Sequence, residues 1–426
     1  VIATPAARIR PAEYIQLLVT NRNYRLLWLA QVVSEMGDWL YAVVIYNFLL
    51  ETTGSARSVA GAVVLQVLPQ ILSAPMAGVV NDRLSRRSVM IAADVARAGI
   101  VLLMLFASQL TTIWPIYALL FLETMMWGFF EPGRSAMLPN LTRNDREVLI
   151  ANTLASTTWS FNLAAGSALG GLLAVWLGRD PVFVINAASF LLSAVFLLRI
   201  QCTEPHAEGQ PPLRWRDLFD FSPILEGFRY IRSEGRLTAT LLAKGGLGFL
   251  GANYVILTIM GERVFHVGNS PVLGMSLLMA ARGLGALIGP VVGGLWVGGR
   301  QERLPLGIFY GFLCGAAGYL ALSHAPSILI GIACVTLAHA GGSVVWVFST
   351  TMIQNMTDDR YRGRVFSADY ACLVLAMSIS TWLAGSAVDA GINVRHVATG
   401  VGLTVLIPAL LWMFAALPLW RDKPNT

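Results

Sequence analysis

Gly78-Val79-Val80-Asn81-Asp82-Arg83-Leu84-Ser85-Arg86-Arg87 places four charged side chains between two apolar runs, 57–80 and 88–110. Each run has the roughly 20 residues needed to cross about 30 Å of hydrocarbon. Backbone groups in lipid must be satisfied within their own segment, so the pair reads as a helical hairpin with a short basic turn. A β-barrel would show short alternating strands instead.

The same pattern extends in both directions. Further apolar runs fall near 24–50, 112–131, 149–177, 181–200, 237–261, 271–298, 305–323, 326–352, 364–389 and 397–420. The expectation is therefore an all-α membrane protein with twelve transmembrane helices. Composition agrees: of 426 residues 56% are hydrophobic and 13% charged, against roughly 25% charged in a soluble domain. Of the 30 Lys and Arg residues, 23 fall at the termini and at alternate turns, Arg57, Arg179, Arg263 and Arg395 fall at the opposite turns, and Arg97, Lys244 and Arg282 fall inside spans. A missed span would swap every later turn and destroy this bias. The positive-inside rule then predicts both termini on the cytoplasmic face of a cell inner membrane. The net charge of +6 is spent at these turns, and no nucleic-acid partner is expected.

Residues 1–22 form a cytoplasmic segment without the apolar core of a secretory signal, and the chain opens on Val1, so its true start is open. Two six-helix bundles follow, 23–200 and 237–420, then a tail at 421–426. Between the bundles, 201–236 carries a Pro/Glu/Gln/Gly run and, over Asp217–Arg232, an amphipathic pattern expected to lie on the cytoplasmic face. Cys202, Cys314, Cys334 and Cys372 are scattered, with no metal or disulfide spacing. No G-x-x-x-x-G-K-[ST], H-E-x-x-H or G-x-S-x-G motif occurs. No cofactor is expected, and transport energy would have to come from an ion gradient.

The halves repeat. Ala136-Met-Leu-Pro-Asn-Leu-Thr142 after span four and Thr351-Met-Ile-Gln-Asn-Met-Thr357 after span ten differ by an offset of 215, which also carries Pro75 and Gly78 onto Pro290 and Gly293. The G-x-x-x-D-R-x-x-R-R turn, with twelve spans and a long central loop, resembles the signature loop of the major facilitator superfamily. Gly37-Asp38, Glu131-Pro132-Gly133-Arg134, Gly170-Gly171, Asn186-Ala-Ala-Ser-Phe190, Ala281-Arg282-Gly283-Leu-Gly285 and Gly363-Arg364-Val365-Phe366 are similar to its drug-exporter branch, which includes macrolide and enterobactin exporters. The resemblance covers about residues 20–420. It departs at Gly166-Ser-Ala-Leu-Gly170-Gly171, where the branch often has a proline. It implies a non-enzymatic carrier, working as a monomer and exporting a drug, a macrolide-like compound or a siderophore against proton influx. A gradient-independent facilitator or lipid flippase is the alternative; a membrane-embedded enzyme using His339 has no spacing in its favour.

Within this framework Gly78 would let helices approach, and Asp82 would meet a facing helix N-terminus. Arg83, Arg86 and Arg87 would pair with Glu131 and Asp369 across the halves as a cytoplasmic gate, or else only anchor the loop at anionic headgroups, with Asp94 and Arg97 paired to each other or to this loop. Glu35 and Asp38 lie roughly 16 and 21 Å into span one on one face. With Glu123 they are the candidates for protons or cargo, since ionisable groups inside a membrane are costly and functional by default. Arg282 would neutralise one of these acids or bind an anion. His339 is a packing residue or a proton site, and Lys244 would snorkel outward or meet cargo. Trp39, Tyr41, Tyr46, Trp127, Trp159 and Trp346 would line a cavity or anchor at the interface. Gly285, Gly289 and Gly293 form a small-residue seam.

Overall fold

The computed structural model describes residues 10–110, 112–204, 218, 221–268 and 270–416. It is helical throughout: α1 (Pro11–Thr20), α2 (Arg22–Thr53), α3 (Ala56–Val67), α4 (Pro69–Arg83), α5 (Arg86–Ala107), α6 (Trp114–Leu141), α7 (Asp145–Leu177), α8 (Arg179–Leu198), α9 (Ser222–Ser233), α10 (Gly235–Leu247), α11 (Asn253–Arg263), α12 (Pro271–Val297), α13 (Leu304–His324), α14 (Ile328–Met356), α15 (Asp359–Asp389) and α16 (Val394–Leu411). Within the described residues every expected span coincides with helix; residues 417–420 of the last span lie outside them. Among the described residues, ten segments are long and apolar enough to cross a membrane. Two more, α2 and α6, match them in length and pack among them, but carry the acids and Arg134 that dilute their apolar character.

Short polar caps set the turns. Asn21 caps α2 by accepting from Tyr24 N, Ser85 caps α5 through Ser88 N, and Asn144 caps α7 through Glu147 N. Span two breaks at Leu68, ahead of Pro69, into α3 and α4. Span seven breaks at a 3-10 segment, Gly248–Ala252. Its freed backbone groups are taken by α15: Ser380 Oγ donates to Phe249 O and accepts from Ala252 N, and Thr381 Oγ1 donates to Gly251 O. The 215-residue offset has a structural counterpart. α6 ends at Leu141 and α14 at Met356, each followed by an extended Thr cap, and Pro75 and Pro290 both lie inside helices.

Two expectations need correction. Span four runs ten residues beyond 131, so Glu131 is interior to a helix rather than at its end. The amphipathic helix starts at Ser222; residues 217, 219 and 220 of the expected stretch lie outside the described residues. α9 also packs on the start of α15. Tyr230 stacks on Tyr361 at 4.5 Å, Glu226 pairs with Arg364 at 2.6 Å, and Ile231 joins a core with Leu237 and Val365. Its apolar face is thus taken by the start of α15.

The glycine seams work as close contacts. Gly285, Gly289 and Gly293 face Thr336, Ala340 and Val344 of α14, and Gly170 faces the Leu40 backbone. The close α4–α6 approach is made through Gly128 and Gly133, against Ser73 and Asn81. At Gly78 nothing lies within 4 Å of where a Cβ would project, so that glycine serves no close packing in this conformation.

The two halves meet unevenly. At the arginine-poor end, Gly385 of α15 packs on Ala56 and Ala60 of α3, Gly171 of α7 on Ser276 of α12, and Arg263 Nη2 donates to Gly54 O at 3.0 Å. At the arginine-rich end, α4 and α15 part around a groove of about 450 Å³, whose lining includes Pro75, Gly78 and Asp82 on one side and Gly363, Arg364 and Ser367 on the other.

Candidate functional site

The charges inside the N-terminal half form two networks. In the first, Arg97 of α5 is 1% exposed at its side chain and grips two helices at once. Its Nη2 donates to both carboxylate oxygens of Asp38, at 2.9 and 2.7 Å, and its Nε donates to Glu123 Oε1 at 2.8 Å. Asp94, one turn earlier on α5 and fully buried, lies 3.7 Å from Nη1, and the ring of Phe190 covers the guanidinium at 4.0 Å. Asp38 is the member open to the interior, with 26% of its side chain exposed. Arg97 and Asp94 therefore belong with Asp38 and Glu123 rather than with the Gly78–Arg87 turn. An Arg fork reaches two carboxylates more readily than the turn, which lies at the far end of its helix.

In the second network, Glu35 does not join Asp38. It accepts from Gln31 Nε2 at 2.9 Å and Asn162 Nδ2 at 3.2 Å. Gln31 Oε1 accepts in turn from Arg134 Nη1 at 3.3 Å, and Arg134 holds Glu131 through Nε and Nη2. Sequence reasoning missed Gln31, Asn162 and Arg134. The first was readable, since Gln31 and Glu35 sit at i, i+4 on one helix. Asn162 is a buried amide in an apolar helix, with no pattern to mark its partner.

Among the described residues, the C-terminal half has one buried ion pair. Lys244 Nζ lies 2.6 Å from Asp369 Oδ2 and 3.0 Å from Thr350 Oγ1, with the Trp346 ring 4.2 Å away. Lys244 does not snorkel, and Asp369 does not meet the basic turn. In this conformation the turn's side chains serve their own half. Arg86 donates to Ala136 O, inside α6, at 2.8 Å, and Arg87 donates to Ile200 O, just past the end of α8, at 2.6 Å. Arg83 closes α4. Asp82 and Gly78 line the groove opposite the first turns of α15.

The arginine-poor end carries a cross-half cap that the sequence did not suggest. The Asp389 carboxylate at the end of α15 accepts from Ala56 N at 2.7 Å, from Arg57 N at 3.1 Å and from the Ser55 hydroxyl, so it caps the start of α3; Arg57 Nε donates to Ser386 Oγ at 3.2 Å. A charged group on free helix N–H groups is worth about 0.5–2 kcal/mol. Asp389→Asn is therefore expected to speed labelling of an Ala60→Cys reporter by a membrane-impermeant thiol reagent several-fold over the same reporter with Asp389. An unchanged rate would mean that the cap does not hold this end.

Trp39 meets Trp159 edge-on at 5.7 Å within the N-terminal half, and Tyr46 meets Tyr254 across the halves at 6.0 Å. Arg282 projects here, its guanidinium 4.2 Å from the Tyr254 ring and 5.8 Å from that of Trp39. It has no carboxylate partner among the described residues, so the structure does not bring it to an acid of span one. Tyr41 instead packs inside the N-terminal half, on Met104 and Phe183. His339 is hydrogen-bonded to Tyr319 at 3.1 Å, with no acid beside it among the described residues. Trp127 is half-buried and Trp346 is 38% exposed. Among the described residues, no group of acids, His and Cys is arranged to hold a metal.

Comparison with known proteins agrees with this architecture. The chain is 25% identical over 411 residues to the uncharacterized MFS-type transporter YfiS of Bacillus subtilis, covering 92% of this chain and 94% of that one. It is 25% identical over 382 residues to macrolide efflux protein A of Streptococcus pyogenes, covering 87% and 90%. A crystal structure of a POT family transporter superposes with a TM-score of 0.73 over 94% of this chain and 97% of the other, at 12% identity, and so shares the fold. Residues 27–381 match the profile of the Major Facilitator Superfamily. The chain is a multi-pass membrane transporter of the Major Facilitator Superfamily, and not an enzyme.

Proposed function

We propose that the protein exports a small amphipathic molecule by alternating access, driven by proton influx through the Asp38–Arg97–Glu123 cluster. One observation carries this reading: three carboxylates face a single guanidinium in the interior of the N-terminal half. Fully ionised, the cluster would hold two uncompensated negative charges, each costing several kcal/mol away from water. A proton relieves that charge, and the partly exposed Asp38 is the member that can receive it. Leaving, the proton would restore the grip of Arg97 on α2 and α6. Cargo movement and proton movement are thereby linked through helix packing.

Direction is supported by the relative whose name is macrolide efflux protein A. The arginine distribution supports both termini in the cytoplasm. With that orientation the structure is the inward-facing form, joined outside by the Asp389 cap. The Gly78–Arg87 turn would close onto α15 in the opposite form, with Asp82 at the N-terminus of that helix. The bundles 23–200 and 237–420 would be the two rocking units.

The test is a panel of labelled macrolides, siderophores and lipids in proteoliposomes, with and without an imposed pH difference. At least one small amphipathic compound is expected to accumulate only when the gradient is present. Movement indifferent to the gradient would establish the facilitator instead, and movement of lipid alone the flippase.

A further inference from the structure

Among the described residues, Arg282 is the cation inside the spans for which the fold supplies no anion. It is the twelfth residue of the 27-residue helix α12, about 16 Å from the nearer end at 1.5 Å per residue. A guanidinium offers five donors in a planar fork. Here Nη2 donates to the Tyr254 hydroxyl at 2.9 Å, while Nη1 is buried without any hydrogen-bond partner. An unmatched buried donor is costly, more so when charged. The nearest acid in sequence on the facing helix is Asp38, beside Trp39, but Arg97 holds both its oxygens. Glu35 is held by Gln31 and Asn162. The opposite halves of the arginine's surroundings are aromatic, Trp39 on α2 and Tyr254 on α11, and the neighbouring Gly283 packs directly on Ala164 of α7. The free donor thus sits at the junction of the two halves.

We propose that Arg282 binds a carboxylate on the cargo, with the apolar or aromatic body of the cargo against Trp39 and Tyr254. The cargo class is therefore amphipathic anions rather than amphipathic cations. This presupposes that the seam between the halves is the cargo path. The depth of Arg282 separates it from lipid headgroups, which cannot reach the middle of a span, so the anion is a free solute. Because its partner would come and go with the cargo, the charge also favours the liganded, joined arrangement of α2 and α12.

The test uses three compounds with one ring system: indoleacetate, tryptophol and tryptamine, respectively anion, neutral alcohol and cation. Binding to purified protein in micelles is measured by equilibrium dialysis and corrected for empty micelles. Indoleacetate is expected to bind about ten- to hundredfold tighter than tryptophol, the range of a charge-assisted hydrogen bond, with tryptamine weakest. Arg282→Gln should erase the difference. Arg282→Lys should keep part of it, since it keeps the charge and loses the fork, and this variant guards against a Gln variant that fails to fold. Equal binding of all three by the wild type, or an intact anion preference in a monodisperse Arg282→Gln protein, would overturn the site. Anion-selective binding without any gradient-driven transport of indoleacetate would leave the site standing and count against the exporter reading. Gradient-driven transport with no charge preference would do the reverse.

Discussion

Arg97→Gln is expected to destabilise the protein by about 3–5 kcal/mol, the usual cost of stranding a buried charge, and to abolish transport. Arg97 joins α5 to α2 through Asp38 and to α6 through Glu123, and its side chain is 1% exposed. Glutamine keeps some hydrogen bonding but leaves three carboxylates around no cation. The readout is the thermal unfolding midpoint in detergent, with size-exclusion as a check on aggregation. Adding Asp38→Asn to Arg97→Gln should recover part of the loss, because it removes one of the stranded charges. That non-additivity separates charge imbalance from lost packing against Phe190. A loss below about 0.5 kcal/mol, typical of a surface change, would mean the cluster does not hold the three helices together.

The second large effect is expected at the Lys244–Asp369 pair. Lys244→Met strands a carboxylate that is 1% exposed and whose Oδ1 already lacks a partner. Asp369→Asn strands an ammonium left with the Thr350 hydroxyl and the Trp346 and Phe366 rings. Each single change should cost about 3–5 kcal/mol, while the double change Lys244→Met with Asp369→Leu should cost far less, because a buried pair is often no better than apolar residues of similar volume. The double-mutant cycle is read by unfolding in detergent. Additive losses would show that the two residues act independently. Transport by the double variant gives a further readout: retained transport assigns the pair to structure alone.

The fold was legible because its two signals are redundant. Apolar length marks each span, and arginine alternation checks the count, so α2 and α6 were found despite the acids they carry. What escaped were the ends and breaks. The apolar run of span four ends at 131, yet the helix carries Pro132 and Pro139 on to Leu141. The break at Gly248–Ala252 depends on Ser380 and Thr381, which lie about 130 residues away and leave no local mark.

The site was legible as a set of residues and illegible as a set of partners. Asp38, Glu123, Asp94 and Arg97 stand out because charge in an apolar run is conspicuous. Their pairing depends on how α2, α5 and α6 turn toward one another, which periodicity alone does not fix. Proximity along one helix wrongly grouped Glu35 with Asp38; tertiary partners on α7 and α6 divide them. The Asp389 cap escaped for another reason. An acid at a helix end reads as an ordinary interfacial residue until the start of α3 is seen against it.

Proton coupling at Asp38 is tested most directly by comparing two transport modes in one variant. Asp38→Asn removes the exchangeable acid and keeps a side chain of nearly the same shape beside Arg97. With the compound that the wild type accumulates under a pH difference, Asp38→Asn proteoliposomes should still exchange labelled for unlabelled cargo at zero gradient. They should accumulate none when the gradient is imposed. Accumulation equal to wild type in the Asn variant would contradict the assignment of the proton to this cluster.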